Sequence, residues 1–226
     1  MVNSTCLVLL SGGQDSTTCL YWAKKEFKEV RAVTFAYGQR HSIECSQAFG
    51  IAERAKVKLE SLSLGTIFHD IGNSALVTTD RNISDLHEND KNLPASFVPG
   101  RNIILLSFAA AYAYKLGIHD IVCGVNSEDF SGYYDCRRST INNLQHTLSL
   151  GLGFHINIYT PLVSLSKADI VKLAVELGCI DEMKHTVSCY EGKIPPCGKC
   201  PACVLRAKGF KEAEVEDPLL RGKNNE

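Results

Sequence analysis

Four cysteines, Cys189, Cys197, Cys200 and Cys203, crowd into fifteen residues with the spacing C-x7-C-x2-C-x2-C. A tight turn inside each C-x2-C interval brings neighbouring thiolates onto one ion, and Gly198 and Pro201 suit such turns. Four thiolates with no open position read as a structural, tetrahedral Zn²⁺ site, one per chain. An iron–sulfur cluster takes four thiolates as well, so the spacing says metal without choosing it. Four cysteines that bind nothing are the plain alternative, and their density argues against it.

The second chemical feature is LLSGGQDSTTCL, residues 9–20. An apolar run is followed by a tight glycine turn, an acid and a cluster of hydroxyls. Glycines let backbone approach a ligand closely, and the free N–H groups of a helix start favour an anion. Ser11, Ser16 and Thr17 add hydroxyl donors. The stretch is neither GxxxxGK[ST] nor GxGxxG. A plain strand-to-helix turn would contain the same two glycines, but the flanking strand, helix and hydroxyls favour a phosphate.

Three further groups have suitable chemistry. Lys167, in LSKADI, opens a helix after a strand, where a cation opposes the helix dipole; that suits a ligand, and a plainly solvated lysine fits the position equally well. Arg101 and Asn102 follow Pro99-Gly100 at the entry to an apolar helix, and the arginine can fork onto a phosphate or a carboxylate, or join a surface ion pair. SEDFSGYYDCR, residues 127–137, places acids, tyrosines and an arginine after a strand end, though an acid-rich solvated loop has the same composition.

The elements that must position these groups alternate. Strands are expected at 6–10, 30–37, 57–64, 119–125 and 155–161, and helices at 17–27, 41–57, 103–117, near 139–150 and at 166–178. Trp22, on the first helix, belongs to the core. Residues 65–100 and 126–138 read as loops. This alternation implies βαβ units and a doubly wound, mainly parallel sheet covered on both faces. The Gly loop, Lys167 and the 127–137 stretch then gather at the carboxyl ends of the strands. Residues 1–186 form one α/β domain, and 187–226 a metal-knit appendage with a charged helix and a polar tail.

With 226 residues, 45% hydrophobic and 22% charged, the chain is an ordinary globular protein with room for one well-cored domain. A net charge of −1 offers no basic surplus for a polyanion, which argues against nucleic acid. No stretch reaches the roughly 20 apolar residues of a membrane span. The first residues carry no secretory signal, so a cytoplasmic location is expected, and in that reducing compartment clustered cysteines mean metal.

SGGQDS resembles the pyrophosphate-binding loop of the N-type ATP pyrophosphatases. AYGQRH (36–41), LPASFVPGRN (93–102), SEDFSGYYDCR (127–137), TPLVSLSKADIV (160–171) and CYEGKIPPCGKCPAC (189–203) follow in order. Together they resemble the 7-cyano-7-deazaguanine synthase family, from residue 9 to about 210. That resemblance implies a Rossmann-like fold of the adenine nucleotide alpha hydrolase type and zinc at the four cysteines. It implies Mg-ATP as cosubstrate and an AMP-forming carbon–nitrogen ligase that turns 7-carboxy-7-deazaguanine and ammonia into the nitrile, for queuosine-type nucleosides. It also implies a homodimer.

ATP contacts would run along Leu9, Leu10, Ser11, Gly12, Gly13, Gln14, Asp15, Ser16, Thr17, Thr18, Cys19 and Leu20, with Tyr37 near adenosine beside Gln39, Arg40 and His41. Asp15, Ser16, Lys167 and Arg101 would carry the catalysis. For the deazaguanine, Asp129 or Asp135 would accept ring N–H groups, Tyr133 or Phe130 would stack, Arg137 or Arg101 would hold the carboxylate, and Asn102 would also contact the substrate. Adenylate chemistry with ammonia needs no thiol nucleophile, so Cys136 is given no such role. Within the superfamily, a tRNA-modifying enzyme that adenylates a base oxygen for sulfur or amine transfer is the alternative. A non-enzymatic zinc-knuckle module would leave the Gly-loop domain unexplained.

Overall fold

The computed structural model describes residues 2–38, 43–71, 74, 95–126 and 133–221. Among them, one parallel sheet has the order β3-β2-β1-β4-β5, from β1 Val2–Leu9, β2 Phe27–Ala36, β3 Lys58–Ser63, β4 Asp120–Val122 and β5 Asn157–Tyr159. The helices are α1 Gln14–Glu26, α2 Ile43–Ala55, α3 Ile67–Ile71, α4 Arg101–Leu116, α5 Arg138–Leu152, α6 Lys167–Glu176 and α7 Pro201–Glu212. Short 3-10 turns span Tyr134–Cys136 and Ile180–His185. No described helix is long and apolar enough to cross a membrane.

Strand side chains alternate between faces, and both faces are buried, which is why the central strands read as apolar runs. Cys6, Val8 and Leu10 pack with Cys19 and Leu20 of α1, Ile51 of α2 and Ile170 of α6. Leu7, Val33 and Ile121 face the other way, onto Leu106, Ala109 and Ala113 of α4 and Ile141 of α5. The expected doubly wound sheet is thus present. Chain connections leave β1 toward β2 on one side, and β4 lies on the other. The carboxyl ends of β1 and β4 therefore flank the switch point where such sheets bind ligands.

Several boundaries differ from the sequence reading. β4 and β5 pair over three residues each rather than seven. Beyond Val122 the chain leaves the ladder to pass the first turn of α1, where a Cβ on Gly124 would lie 3.2 Å from the Asp15 and Ser16 backbone. α1 begins at Gln14, earlier than expected, and α3 occupies part of the 65–100 loop. Trp22 is only partly buried, packing edge-on against Phe27 at 6.2 Å.

Candidate active site

A cavity of about 590 Å³ sits at the switch point. Its floor is the glycine turn. Gly12 adopts φ 87°, a left-handed conformation that favours glycine, and Gly13 is the N-cap of α1 with no side-chain cap. The first intrahelical bond runs from Thr17 N–H to Gly13 O at 3.1 Å. No capping side chain fills this N-terminus, so its N–H groups and dipole are available to an anion. The Ser11 and Ser16 hydroxyls stand 3.1 Å apart, and Ser16 Oγ also accepts the Ser11 N–H at 3.2 Å.

Not every residue of the stretch faces the ligand space. Leu9, Leu10, Ser11, Gly13, Gln14, Asp15 and Ser16 line the cavity. Thr17 and Thr18 are fully buried and donate their hydroxyls to the carbonyls of Gly13 and Gln14 at 2.9 and 3.0 Å. Cys19 and Leu20 lie in the core. The Gly12 carbonyl accepts the Val187 N–H at 3.0 Å, so the 186–188 segment braces the turn from outside. Gly124→Ala is expected to push the first turn of α1 away from β4. Calorimetry should then show nucleotide binding weakened about tenfold, equivalent to ~1.4 kcal/mol of forced displacement.

Lys167 is not simply solvated. Ser166 caps α6 in a reciprocal capping box with Asp169, and this fixes Lys167 as the first helical residue. Its Nζ donates to Asp15 Oδ2 at 2.8 Å, and both residues line the cavity. The α7 helix sets the lysine's stem: a Cβ on Gly209 would lie 2.8 Å from Lys167 Cβ, so only glycine permits this approach.

The cavity lining also includes Arg101, Asn102, Tyr133, Cys136, Ser96 and Tyr190. Burial alone would lower the Arg101 pKa. The phenols of Tyr37, Tyr133 and Tyr190 and the Asp135 carboxylate reverse this, and the guanidinium stays charged. Its centre lies 5.8 Å from the Tyr133 ring, which stacks on Phe97 at 5.6 Å and shares a 3.2 Å hydrogen bond with Ser96 Oγ. Asp135 is not a lining residue. Its carboxylate accepts the Asn102 N–H at 2.8 Å and the Asn102 Nδ2 at 3.2 Å, which ties down the first turn of α4. Arg137 is exposed, lies over the Tyr134 ring at 4.3 Å and is not a lining residue. Asp129 and Phe130, and likewise Gln39, Arg40 and His41, fall outside the described residues.

The four clustered sulfurs lie within 4.8 Å of one another. One tetrahedral ion with bonds of about 2.3 Å holds its sulfurs ~3.8 Å apart, so the donor set fits a single ion. Backbone N–H groups already point at the sulfurs, Cys197 N–H at Cys189 Sγ (3.5 Å) and Cys200 N–H at Cys197 Sγ (3.4 Å). Burial acts to raise the Cys197 thiol, but hydrogen bonds from the Lys199 and Cys200 backbone bring it down to about 7. By contrast, burial pushes Cys6, Cys123 and Cys179 up to about 12, leaving them as inert thiols. Cys200→Ala is expected to abolish metal retention, read as metal per chain by plasma mass spectrometry.

Sequence reasoning missed the contribution of the last forty residues to this cavity. Val187, Ser188, Tyr190, Pro201, Ala202, Leu205 and Arg206 all line it. Arg206 is almost fully buried and forks onto Asp217 at 2.6 and 2.8 Å. It also donates to Thr186 Oγ1 at 2.7 Å, Met183 O at 2.9 Å and Ser188 Oγ at 3.4 Å. Its only sequence signal was an arginine inside an otherwise ordinary charged helix.

The family model described as queuosine biosynthesis protein QueC matches residues 5–214. The chain is 49% identical to the 7-cyano-7-deazaguanine synthase of Chromobacterium violaceum, over 95% of this chain and 92% of that protein. It is 46% identical to the Bacillus subtilis protein of the same name, over 95% and 97%. Among solved structures, it is similar in fold to the NMN synthetase of Francisella tularensis, with a TM-score of 0.52 and 14% identity over 95% of this chain and 88% of that one. A 4-thiouridine synthetase–RNA complex with bound ATP gives a TM-score of 0.53 and 16% identity, covering 92% of this chain and 53% of that one.

Proposed function

The chain belongs to the QueC family of queuosine biosynthesis proteins, and from that premise we propose that it is an AMP-forming ligase. Its substrates are 7-carboxy-7-deazaguanine and ammonia, and its product is 7-cyano-7-deazaguanine. One observation carries the reading beyond kinship. A single cavity joins an uncapped helix N-terminus, suited to phosphate, to an arginine flanked by tyrosines, suited to a flat aromatic acid.

In the first round a carboxylate oxygen attacks the α-phosphorus of ATP and pyrophosphate leaves. Ammonia then adds to the activated carbon and AMP departs with that oxygen, giving the amide. In the second round the amide oxygen is adenylated, and loss of AMP and protons leaves the nitrile. One site serves both rounds because each activates an oxygen on the same carbon.

The Gly13–Ser16 turn holds the departing pyrophosphate, where charge builds in the transition state. Lys167 neutralises that end of the cavity, and Asp15 holds the lysine in place. Val33, Thr34 and Tyr37, at the end of β2, flank adenosine. Arg101 takes the substrate carboxylate. Mg²⁺ bound with ATP would supply charge screening for the phosphates held at the Gly13–Ser16 turn. We assign one structural zinc to the four cysteines, on the single-ion fit of their sulfurs. The working location is the cytoplasm, with small molecules as substrates.

Purified protein with Mg-ATP, ammonium and the acid should yield the nitrile together with AMP and pyrophosphate by mass spectrometry. AMP without nitrile would move the substrate. ADP instead of AMP would overturn the reading of the glycine loop.

A further inference from the structure

Resting on the function just proposed, we infer that Tyr190 is a substrate-contacting residue whose ring forms a wall for the deazaguanine and is held in place by the metal knuckle. The nucleotide accounts for one part of the cavity: the glycine turn for phosphates, the β2 end for adenosine. The lining of the same cavity also includes Ser96, Arg101, Asn102, Tyr133, Cys136 and Tyr190, the lobe assigned to the acid. A fused bicycle bearing one carboxylate needs one cation and flat apolar walls, and this lobe supplies Arg101 with Tyr133 and Tyr190.

Tyr190 reaches the lobe because of where its backbone is tied. It follows Cys189 directly, its N–H donates to the Cys200 sulfur, and it packs against the Cys189, Cys200 and Cys203 cluster with Ala95. The knuckle supports the second aromatic wall too. Ala95 packs on the sulfurs, while its neighbours Ser96 and Phe97 hold Tyr133 by a 3.2 Å hydrogen bond and a 5.6 Å ring stack. Both rings beside Arg101 are therefore positioned through the sulfur cluster. The cysteine knuckle thus supports the acid lobe as well as the C-terminal segment.

The test compares binding of two ligands to metal-loaded variants by calorimetry. Tyr190→Leu keeps apolar packing on the sulfurs but removes the flat ring. It should weaken 7-carboxy-7-deazaguanine at least tenfold, leave an α,β-methylene ATP analogue within twofold, and retain one metal per chain. Tyr190→Phe should stay within threefold of the unmodified protein for both ligands.

In the unmodified protein with labelled tyrosine rings, an NOE from the substrate's C8 proton to Tyr190 is expected, which needs no variant to fold. A Leu variant that binds the acid normally, one that weakens both ligands equally, a Phe variant as weak as the Leu variant, or no NOE would each overturn the inference. If the unmodified protein bound the ATP analogue but not the acid, the proposed substrate would fail instead.

Discussion

Replacing Lys167 by methionine is expected to lower kcat/KM about 10³-fold, or ~4 kcal/mol of transition-state stabilisation, with little loss of fold stability. The lysine donates to Asp15 Oδ2 at 2.8 Å, and the two side chains are 16% and 23% exposed. Without its partner, Asp15 becomes an uncompensated negative charge at the mouth of the turn that must hold a polyphosphate. Repulsion replaces attraction at the point where leaving-group charge develops. Partly exposed pairs contribute little to folding, so thermal stability should barely move. Lys167→Arg should retain much of the rate, and adding Asp15→Asn to the methionine variant should restore part of the ATP binding. Steady-state kinetics varied in ATP would read this directly; activity within threefold of the unmodified protein would remove Lys167 from the mechanism.

The second large effect concerns stability. Arg206→Met should destabilise the fold by about 3–5 kcal/mol, because it leaves Asp217 buried and unpaired. Side-chain exposure is only 4% for Arg206 and 7% for Asp217. Thr186 and Met183 O would lose a charged donor at the same time. For a chain this size the loss corresponds to a fall in Tm on the order of 10 °C. Replacing the pair together, Arg206→Met with Asp217→Leu, should recover most of that loss, since two apolar side chains leave no stranded charge. Activity should nonetheless stay low in the double variant. Arg206 also holds the 186–188 segment, whose Val187 N–H fastens the Gly12 carbonyl.

What the sequence made legible follows the range of its signals. The glycine turn, the strand before it and the helix after it are contiguous, so their geometry was readable from order alone. The four cysteines were readable because metal chemistry demands short spacings. Lys167 was placed correctly at a helix start, but its partner was not, since Asp15 lies 152 residues away. Asp135 and Arg137 show the opposite limit. Their composition suited a ligand, yet one carboxylate ties the first turn of α4 and the exposed arginine stacks on Tyr134.

Gly124 and Gly209 carried no visible signal at all. Each is fixed by the close passage of an element distant in the chain, which periodicity does not encode. The same holds for the C-terminal wall. The turn from knuckle to α7 reads locally as an appendage, and only packing against α6 brings it to the cavity.

The cavity is expected to transfer AMP to an oxygen of the substrate, twice per product. Acid labelled with ¹⁸O in both carboxylate positions tests it most directly, with the nucleotide and base products weighed by mass spectrometry. The expected result is two AMP molecules per nitrile, each carrying one ¹⁸O in its phosphate, and pyrophosphate free of label. Label in inorganic phosphate with ADP as the nucleotide product, or unlabelled AMP, would contradict it.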